Sequence, residues 1–181
     1  MAIKNRPEFE KFIRRVEKSS DEFRASSTEN RHSKQYRTAR ENLAHLVDEN
    51  SFLEFGQFAV AAQRSRRDYE ELQDKTNADG IITGFCSVNS ELVGAESSQA
   101  VAIVYDYSVL AGTQGAFHHL KLDRICDQAK KFQLPIVIFT EGGGGRPGDT
   151  DVLIQMAGLH IPSFSTWAQL TGSSLKIAVN N

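Results

Sequence analysis

The sequence is poor in cysteine, the residue that crosslinks chains and holds most structural zinc ions. Its 181 residues include only two cysteines, Cys86 and Cys126, which lie far apart and form no CxxC pair. A disulfide framework and a structural zinc site are therefore not expected, and a reducing compartment suits the chain. We predict that both cysteines are buried packing residues, because neither has a catalytic partner nearby in sequence.

Long apolar runs and an excess of charge of one sign are also missing. No stretch approaches the roughly 20 apolar residues of a membrane-spanning helix, and the N-terminal "MAIKNRPEFEKFIRR" lacks the apolar core of a signal peptide. Lys and Arg number 21 against 23 Asp and Glu, so the net charge is −2. This balance argues against nucleic acid or a membrane as partner, and we predict a soluble, cytoplasmic protein.

The first 77 residues are dense in charge and helical in spacing. Apolar residues recur every three or four positions in two predicted helices, Phe9, Phe12, Ile13 and Val16 in the first and Tyr36, Leu43, Leu46 and Val47 in the second. We predict a loop at 26–35, a short strand at "FLEFG" (52–56) and a solvated connection at 61–77.

From Ala78 onward the pattern changes to strands that alternate with helices, which predicts an α/β fold with parallel strand pairing. The predicted strands are 80–89, 100–110, 134–140 and 175–181, and the predicted helices are 115–132, 151–159 and 164–172. The inward candidates of the helix 115–132 are Phe117, Leu120, Ile125 and Ala129. No element follows the last strand, so we expect residue 181 to be a truncation point or a boundary between subunits; an edge strand that ends the protein is the alternative.

Four consecutive glycines, Gly142–Gly145, follow the apolar strand "IVIFT". Their amides can form a concave nest that binds negative charge. A P-loop would need a Lys-Ser/Thr pair after its second glycine, and none follows here. An oxyanion hole remains, in which losing one N–H donor typically costs roughly 3–4 kcal/mol in the barrier. A flexible turn that caps the strand is the alternative to a site.

Four segments occur in the order found in a known family. They are "ARENLAHLVDENSFLEFG", "ADGIITGFCSVN", "VYDYSVLAGTQGAFHHLKL" and "LPIVIFTEGGGGRPGD". Together they resemble the amino-terminal half of the carboxyltransferase domain of biotin-dependent acyl-CoA carboxylases, of the acetyl-CoA and propionyl-CoA type, in the crotonase superfamily. The likeness extends from about Tyr36 to the end. Glu141 stands where the family commonly has Asp, and Ala111 where it commonly has Gly.

The resemblance implies a fold and a division of the chain. The fold is a crotonase-like α/β superhelix of stacked β-β-α turns with a helical N-terminal extension, truncated in this chain. Residues 1–77 would form the extension and the first strand, and residues 78–181 a partial crotonase-like core.

The resemblance also implies a site without a metal. The amides of Gly143 and Gly144 would be catalytic, because they polarise the thioester of an acyl-CoA. The acyl-CoA would be bound by Ala111, Gly112, Thr113, Gly115, Gly142, Gly145 and Arg146. Glu141 and Arg146 would hold the loop in shape through hydrogen bonds to the nest and neighbouring backbone.

The implied reaction is carboxyl transfer from carboxybiotin to the α-carbon of an acyl-CoA, with biotin as the proton acceptor. The implied partners are a biotin carboxyl carrier, a biotin carboxylase, the carboxy-terminal carboxyltransferase half and further copies of the chain. This chain alone would bind substrate without turning it over. The alternatives are another crotonase-fold acyl-CoA enzyme, such as a hydratase or thioester hydrolase, and a non-catalytic assembly fragment.

Other polar residues favour structural roles. His118 and His119 point about 100° apart on a helix, so we predict packing or hydrogen bonding rather than a metal site. Lys121 is predicted to be solvated. The arginines of "RSRRD", Arg64, Arg66 and Arg67, are predicted to form a solvated face, with CoA phosphate binding as the alternative. Trp167 is predicted to pack.

Overall fold

The computed structural model describes residues 6–152 and 162–180, which fold around one five-stranded sheet. Its strands are β1 Leu53–Phe55, β2 Ile81–Ser87, β3 Gln99–Tyr105, β4 Ile136–Thr140 and β5 Lys176–Asn180. Its helices are α1 Pro7–Glu17, α2 Ala25–His32, α3 Ala39–Leu46, α4 Tyr69–Lys75, α5 Ser90–Val93, α6 Ala116–Phe132 and α7 Pro162–Gln169. Two short 3-10 turns, Asn77–Gly80 and Leu110–Gly112, precede β2 and α6.

The strands lie in the sheet in their order along the chain. β1, β2 and β3 pair antiparallel, whereas β3, β4 and β5 pair parallel. Helix α6 forms the long crossover that a parallel β3–β4 pair requires. The predicted parallel pairing is therefore confirmed only for the last three strands. Strand β3 ends at Tyr105 rather than at residue 110, because the chain turns at Asp106, whose carbonyl accepts from the Val109 amide.

Both faces of the sheet are covered. Alternate residues of β3 point to opposite sides, Val101, Ile103 and Tyr105 toward α6 and Ala100, Ala102 and Val104 toward α3. The apolar stripe of α6 packs on the first face and consists of Leu122, Ile125, Cys126 and Ala129. The predicted burial of both cysteines is confirmed.

The inward face of α6 differs in part from the prediction. Ile125 and Ala129 are buried as expected, whereas Leu120 is 60% exposed and Phe117 is half-buried. The buried stripe continues toward the N-terminus through Lys121 and His118. A histidine and a lysine are thus buried at positions where the hydrophobic pattern predicts exposed side chains.

Two segments predicted to lack regular structure contain helices. The predicted loop at 26–35 is wrong, because α2 occupies most of it. The predicted solvated connection at 61–77 is also wrong: it contains α4, whose Asp68 N-cap accepts from the Glu70 amide, and Leu72 is fully buried. Each of these helices buries only one or two side chains, so its sequence shows polar residues without the apolar repeat that indicates a helix.

The outer elements agree with the sequence in part. Helix α1 is present, yet its apolar face is open, with Phe9 53% and Phe12 49% exposed. α7 and β5 confirm the helix at 164–172 and the strand at 175–181, while most of the predicted helix at 151–159 lies outside the described residues. Among residues 6–152 and 162–180, no helix has both the length and the hydropathy to cross a membrane.

Candidate functional site

Two backbone turns meet at the carboxyl end of β4. One is the 110–113 turn, in which Leu110, Ala111 and Gly112 all have positive φ, at 48°, 57° and 66°. The other is the glycine loop, Gly142–Gly145. The loops are joined where the Gln114 amide donates to the Gly144 carbonyl at 2.8 Å and the Arg146 amide donates to the Gln114 carbonyl at 2.9 Å. The sequence places these turns far apart, and the parallel β3–β4 pair brings them together.

Three of the four glycines meet a structural requirement. A Cβ on Gly143 would lie 2.9 Å from the Ala111 carbonyl oxygen, and one on Gly142 would lie 3.0 Å from the Gly112 carbonyl oxygen. These two glycines allow the loops to pack backbone against backbone. Gly144 has a φ of +88°, and a Cβ on Gly144 or Gly145 would meet open space. The outer half of the glycine loop is therefore where another molecule can approach.

The amides of the glycine loop have no hydrogen-bond acceptor among the described residues. All four glycines are exposed, and none of their N–H groups donates to a backbone carbonyl within residues 6–152 and 162–180. Consecutive free amides on one loop form a site for a negatively charged oxygen. Gly143 and Gly144, which the resemblance implies as catalytic, belong to this set.

An open cavity of about 570 Å³ lies beside the two turns. Ala111 and Gly142 border it on one side, and α2 borders it on the other through Asn30, Arg31 and Lys34. A volume of several hundred cubic ångströms is typical of sites for small organic ligands. The cavity thus gives a ligand access to the loops from the N-terminal helical region.

A buried group of charges lies under the turns; we call Asp79, Arg146 and Asp149 the charged cluster. The Arg146 guanidinium donates to the Asp79 carboxylate and, at 2.6 Å, to the Thr113 carbonyl oxygen, and it lies 3.6 Å from Asp149. Arg146 is 4% exposed. This agrees with the predicted role in holding the loop, and it turns the guanidinium away from the cavity rather than toward a ligand there.

The charged cluster also caps α6. Asp79 accepts from the His118 amide at 2.7 Å, and Asp149 accepts from the Ala116 amide at 2.8 Å. These carboxylates satisfy free N–H groups in the first turn of a helix whose N-cap, Gly115, has no side chain to do so. A Cβ on Gly115 would overlap Arg146 and Asp149, so Gly115 makes room for the cluster rather than for a ligand.

Burial shifts the pKa values of the groups around the cluster. Desolvation raises the pKa of Asp79, and the opposing charge of Arg146 limits the rise. Burial lowers the pKa of His118 to about 3 and that of Lys121 to about 8. The prediction that Lys121 is solvated is wrong, because its ammonium donates to the carbonyls of Ala78, at 2.8 Å, and Ile81.

The other sequence candidates occupy structural positions. His118 is fully buried and its ring packs edge-on against Tyr105, which confirms the packing role. The side chains of Arg64 and Arg66 are exposed. The backbone at this point is held to the segment that follows the glycine loop, because the amides of Arg64 and Ser65 donate to Asp151 at 2.5 and 2.8 Å. Trp167 packs against the main core.

The predicted bonds from Glu141 to the nest are not formed. Within the described part of the chain, its carboxylate accepts from the guanidinium of Arg31 at 2.5 and 2.7 Å. Arg31, Asp79 and Asp149 all position the site, and sequence reasoning missed them. Asp79 stands in the "ADG" segment, but no local signal connects it to Arg146, and Arg31 falls within the predicted loop at 26–35.

The comparisons with known proteins identify the family. A family model described as the carboxyl transferase domain matches residues 30–158. The chain belongs to the carboxyl transferase domain family. The matched range includes both turns, the glycine loop and the charged cluster, so the predicted resemblance is confirmed.

Curated relatives support the same family. The chain is 30% identical over 118 residues to the methylmalonyl-CoA decarboxylase subunit alpha of Veillonella parvula, and the match covers 65% of the chain and 21% of the relative. It is 32% identical over 145 residues to the acetyl-CoA carboxylase carboxyl transferase subunit beta of Prochlorococcus marinus, covering 75% of the chain and 46% of the relative.

Solved structures support the same assignment. A single-chain, multi-domain long-chain acyl-CoA carboxylase matches with a TM-score of 0.90 and 45% identity over 97% of this chain and 17% of its own. The transcarboxylase 12S hexamer matches with a TM-score of 0.62 and 26% identity over 92% of this chain and 31% of its own. The crotonase-like α/β fold is thereby confirmed. The chain spans about a fifth of the length of the first of these curated relatives.

Proposed function

We propose that this carboxyl transferase domain binds an acyl-CoA thioester and stabilises its enolate during carboxyl transfer. The observation that carries the proposal is the row of four exposed glycines, whose amides donate to no backbone carbonyl among the described residues and whose first member, Gly142, borders the open cavity. Amides in such a row are already oriented before the oxyanion forms. They therefore stabilise its charge without reorganising during the reaction, and this lowers the barrier. The exposed outer half of the loop allows a thioester carbonyl to approach the backbone closely.

The roles of the chain's own residues follow from their positions. The amides of Gly143 and Gly144, with those of Gly142 and Gly145 beside them, would hold the thioester oxygen as it gains negative charge. Ala111, Gly112 and Thr113 would line the adjoining side of the site, in contact with the glycine loop. Arg146 would keep the two turns in register from beneath, through its bond to Thr113.

The cofactor in this proposal is biotin, carried by a separate protein. The free amides of the glycine loop suit one developing oxyanion, which we assign to the substrate, so the residues that hold the biotin ring would belong to the carboxy-terminal half. When it is bound, carboxybiotin supplies the carboxyl group and afterwards a base for the α-proton. Glu141 is already paired with Arg31, which makes it a poor choice for that base.

The wider assembly is also part of the proposal. The relatives include a subunit of acetyl-CoA carboxylase, part of a multi-domain long-chain acyl-CoA carboxylase and the transcarboxylase 12S hexamer. We therefore propose a biotin carboxyl carrier, a biotin carboxylase, a carboxy-terminal carboxyltransferase half and further copies of this chain as partners. The division into an extension at 1–77 and a core at 78–181, and the cytoplasmic location, remain predictions.

The test is a calorimetric titration of the 181-residue chain with acetyl-CoA, propionyl-CoA, a long-chain acyl-CoA and free CoA. We expect at least one thioester to bind more tightly than free CoA, because only the thioester offers a carbonyl to the glycine loop. Equal affinity for all four ligands would contradict the assigned role of the amides. Carboxylation of an acyl-CoA by this chain alone would contradict the need for a second half.

A further inference from the structure

Arg31 makes an unusually complete set of contacts for a residue in a polar helix. It lies in the last turn of α2 and is 7% exposed. Its two terminal nitrogens donate to the two carboxylate oxygens of Glu141 at 2.5 and 2.7 Å. Such a bidentate pair fixes direction as well as distance, which a single ammonium would not.

The guanidinium itself is held from three other sides. Its Nε and one Nη donate to the Arg37 carbonyl oxygen at 3.1 and 2.9 Å. Its central carbon lies 5.0 Å from the ring centre of Tyr36 and 5.7 Å from that of Tyr107. Because these contacts fix the plane of the guanidinium, Arg31 presents Glu141 with a rigid partner rather than a mobile surface charge.

Glu141 is the residue through which the glycine loop leaves β4. A Cβ on Gly112 would overlap the Glu141 carbonyl oxygen, so the backbone of Glu141 already touches the 110–113 turn. Any movement of Glu141 would shift the glycine loop relative to that turn. The ion pair at the Glu141 side chain is therefore a second anchor, beside this backbone contact, for the start of the glycine loop.

We propose that Arg31 is a positioning residue for the thioester site, which acts on the free amides of the glycine loop through Glu141. The inference rests on the proposed function. It gives the helical extension a specific part in substrate recognition, since α2 supplies both a wall of the cavity and the group that sets the loop. Arg31 does not need to touch the substrate to do this.

The competing explanation is an ion pair that contributes only to stability. A matched pair tests this, because Arg40 on α3 also makes a bidentate contact, to Glu54 of β1, at 2.6 and 3.0 Å. The Arg40–Glu54 pair likewise joins the helical extension to the sheet, but it borders neither the cavity nor the two turns. Arg40→Gln is therefore the control for Arg31→Gln.

The experiment measures the ratio of propionyl-CoA affinity to free CoA affinity by calorimetry, for the whole 181-residue chain and its variants. We expect Arg31→Gln and Glu141→Gln each to lower this ratio by about tenfold, because a misplaced loop loses the carbonyl contact but not the contacts to CoA. Arg31→Lys should lower it less. Arg40→Gln should keep the wild-type ratio even where it lowers the melting temperature.

A double variant separates the two explanations further. If Arg31 acts through Glu141, then Arg31→Gln with Glu141→Gln should lower the ratio no more than either change alone. Amide NMR shifts of Gly142–Gly145 should move in Arg31→Lys, the mildest variant, and stay in place in Arg40→Gln. Unchanged shifts and an unchanged ratio in Arg31→Lys and Glu141→Gln would overturn the inference and leave the proposed function standing. A wild-type chain that binds none of acetyl-CoA, propionyl-CoA and a long-chain acyl-CoA more tightly than free CoA would overturn both.

Discussion

The glycine loop and the charged cluster are neighbours in space, yet they differ in what they expose. The loop has no side chains and offers free amides to solvent, whereas the cluster buries three charged side chains and satisfies them internally. The loop carries the chemistry that we propose, and the cluster keeps it in place. Backbone donors need rigid support, because a free loop would lose the alignment that makes amides effective.

The largest expected effect comes from removing the cation of the charged cluster. Arg146→Met should lower the free energy of unfolding by about 3–5 kcal/mol, because it leaves Asp79 and Asp149 buried without a counter-charge. Urea denaturation followed by circular dichroism measures this. Adding Asp79→Asn should recover part of the loss, and the control Arg67→Met, in a half-exposed pair with Glu71, should cost less than about 1 kcal/mol. A loss as small as the control's would show that the cluster does not support the fold.

The next effect comes from the inner half of the glycine loop. Gly143→Ala should cost about 3 kcal/mol, near the upper end for overpacking, because its Cβ would press on the Ala111 carbonyl oxygen, and backbone cannot rotate away. It should also abolish the preference for thioester over free CoA in the titration. Wild-type stability in this variant would contradict the close packing of the two turns.

Acidification tests the buried histidine beside the charged cluster. Burial lowers the pKa of His118 to about 3, against an ordinary value of 6.5, so between these values the unfolded chain binds a proton that the folded chain does not. Stability should therefore fall as the pH falls, by about 2 kcal/mol between pH 7 and pH 5. In His118→Gln this part of the slope should disappear, whereas the exposed His45→Gln should keep it. Urea midpoints at the two pH values decide between these outcomes.

The smallest effect on stability should come from the outer half of the loop. Gly145→Ala places its Cβ in open space at an ordinary φ, so the free energy of unfolding should change by less than about 0.5 kcal/mol. The same methyl group would stand where we propose that the ligand approaches, so thioester affinity should still fall. Equal losses of stability in Gly145→Ala and Gly143→Ala would remove the distinction between the two halves.

The helices show how far local pattern reaches. Repeating apolar residues correctly indicated α1, α3 and α6, but α2 and α4 bury too few apolar side chains to leave that signal. On α6 the pattern favoured Leu120, which is exposed, over Lys121, which is buried. Lys121 is accommodated because two carbonyls, of Ala78 and Ile81, accept from its ammonium, and these come from a distant segment.

Sequence reasoning was enough for the local features: the strand that ends in four glycines, the order of the four family segments, and the absence of a P-loop lysine. These depend on residue type and spacing, which are properties of a short stretch. The packing of the folded chain is needed to see which glycines pack and which stay open, that Arg146 turns inward to Asp79, and that Arg31 holds Glu141. The two ion pairs span 67 and 110 positions of the chain, and such contacts are set by how the sheet and helices pack rather than by any local pattern.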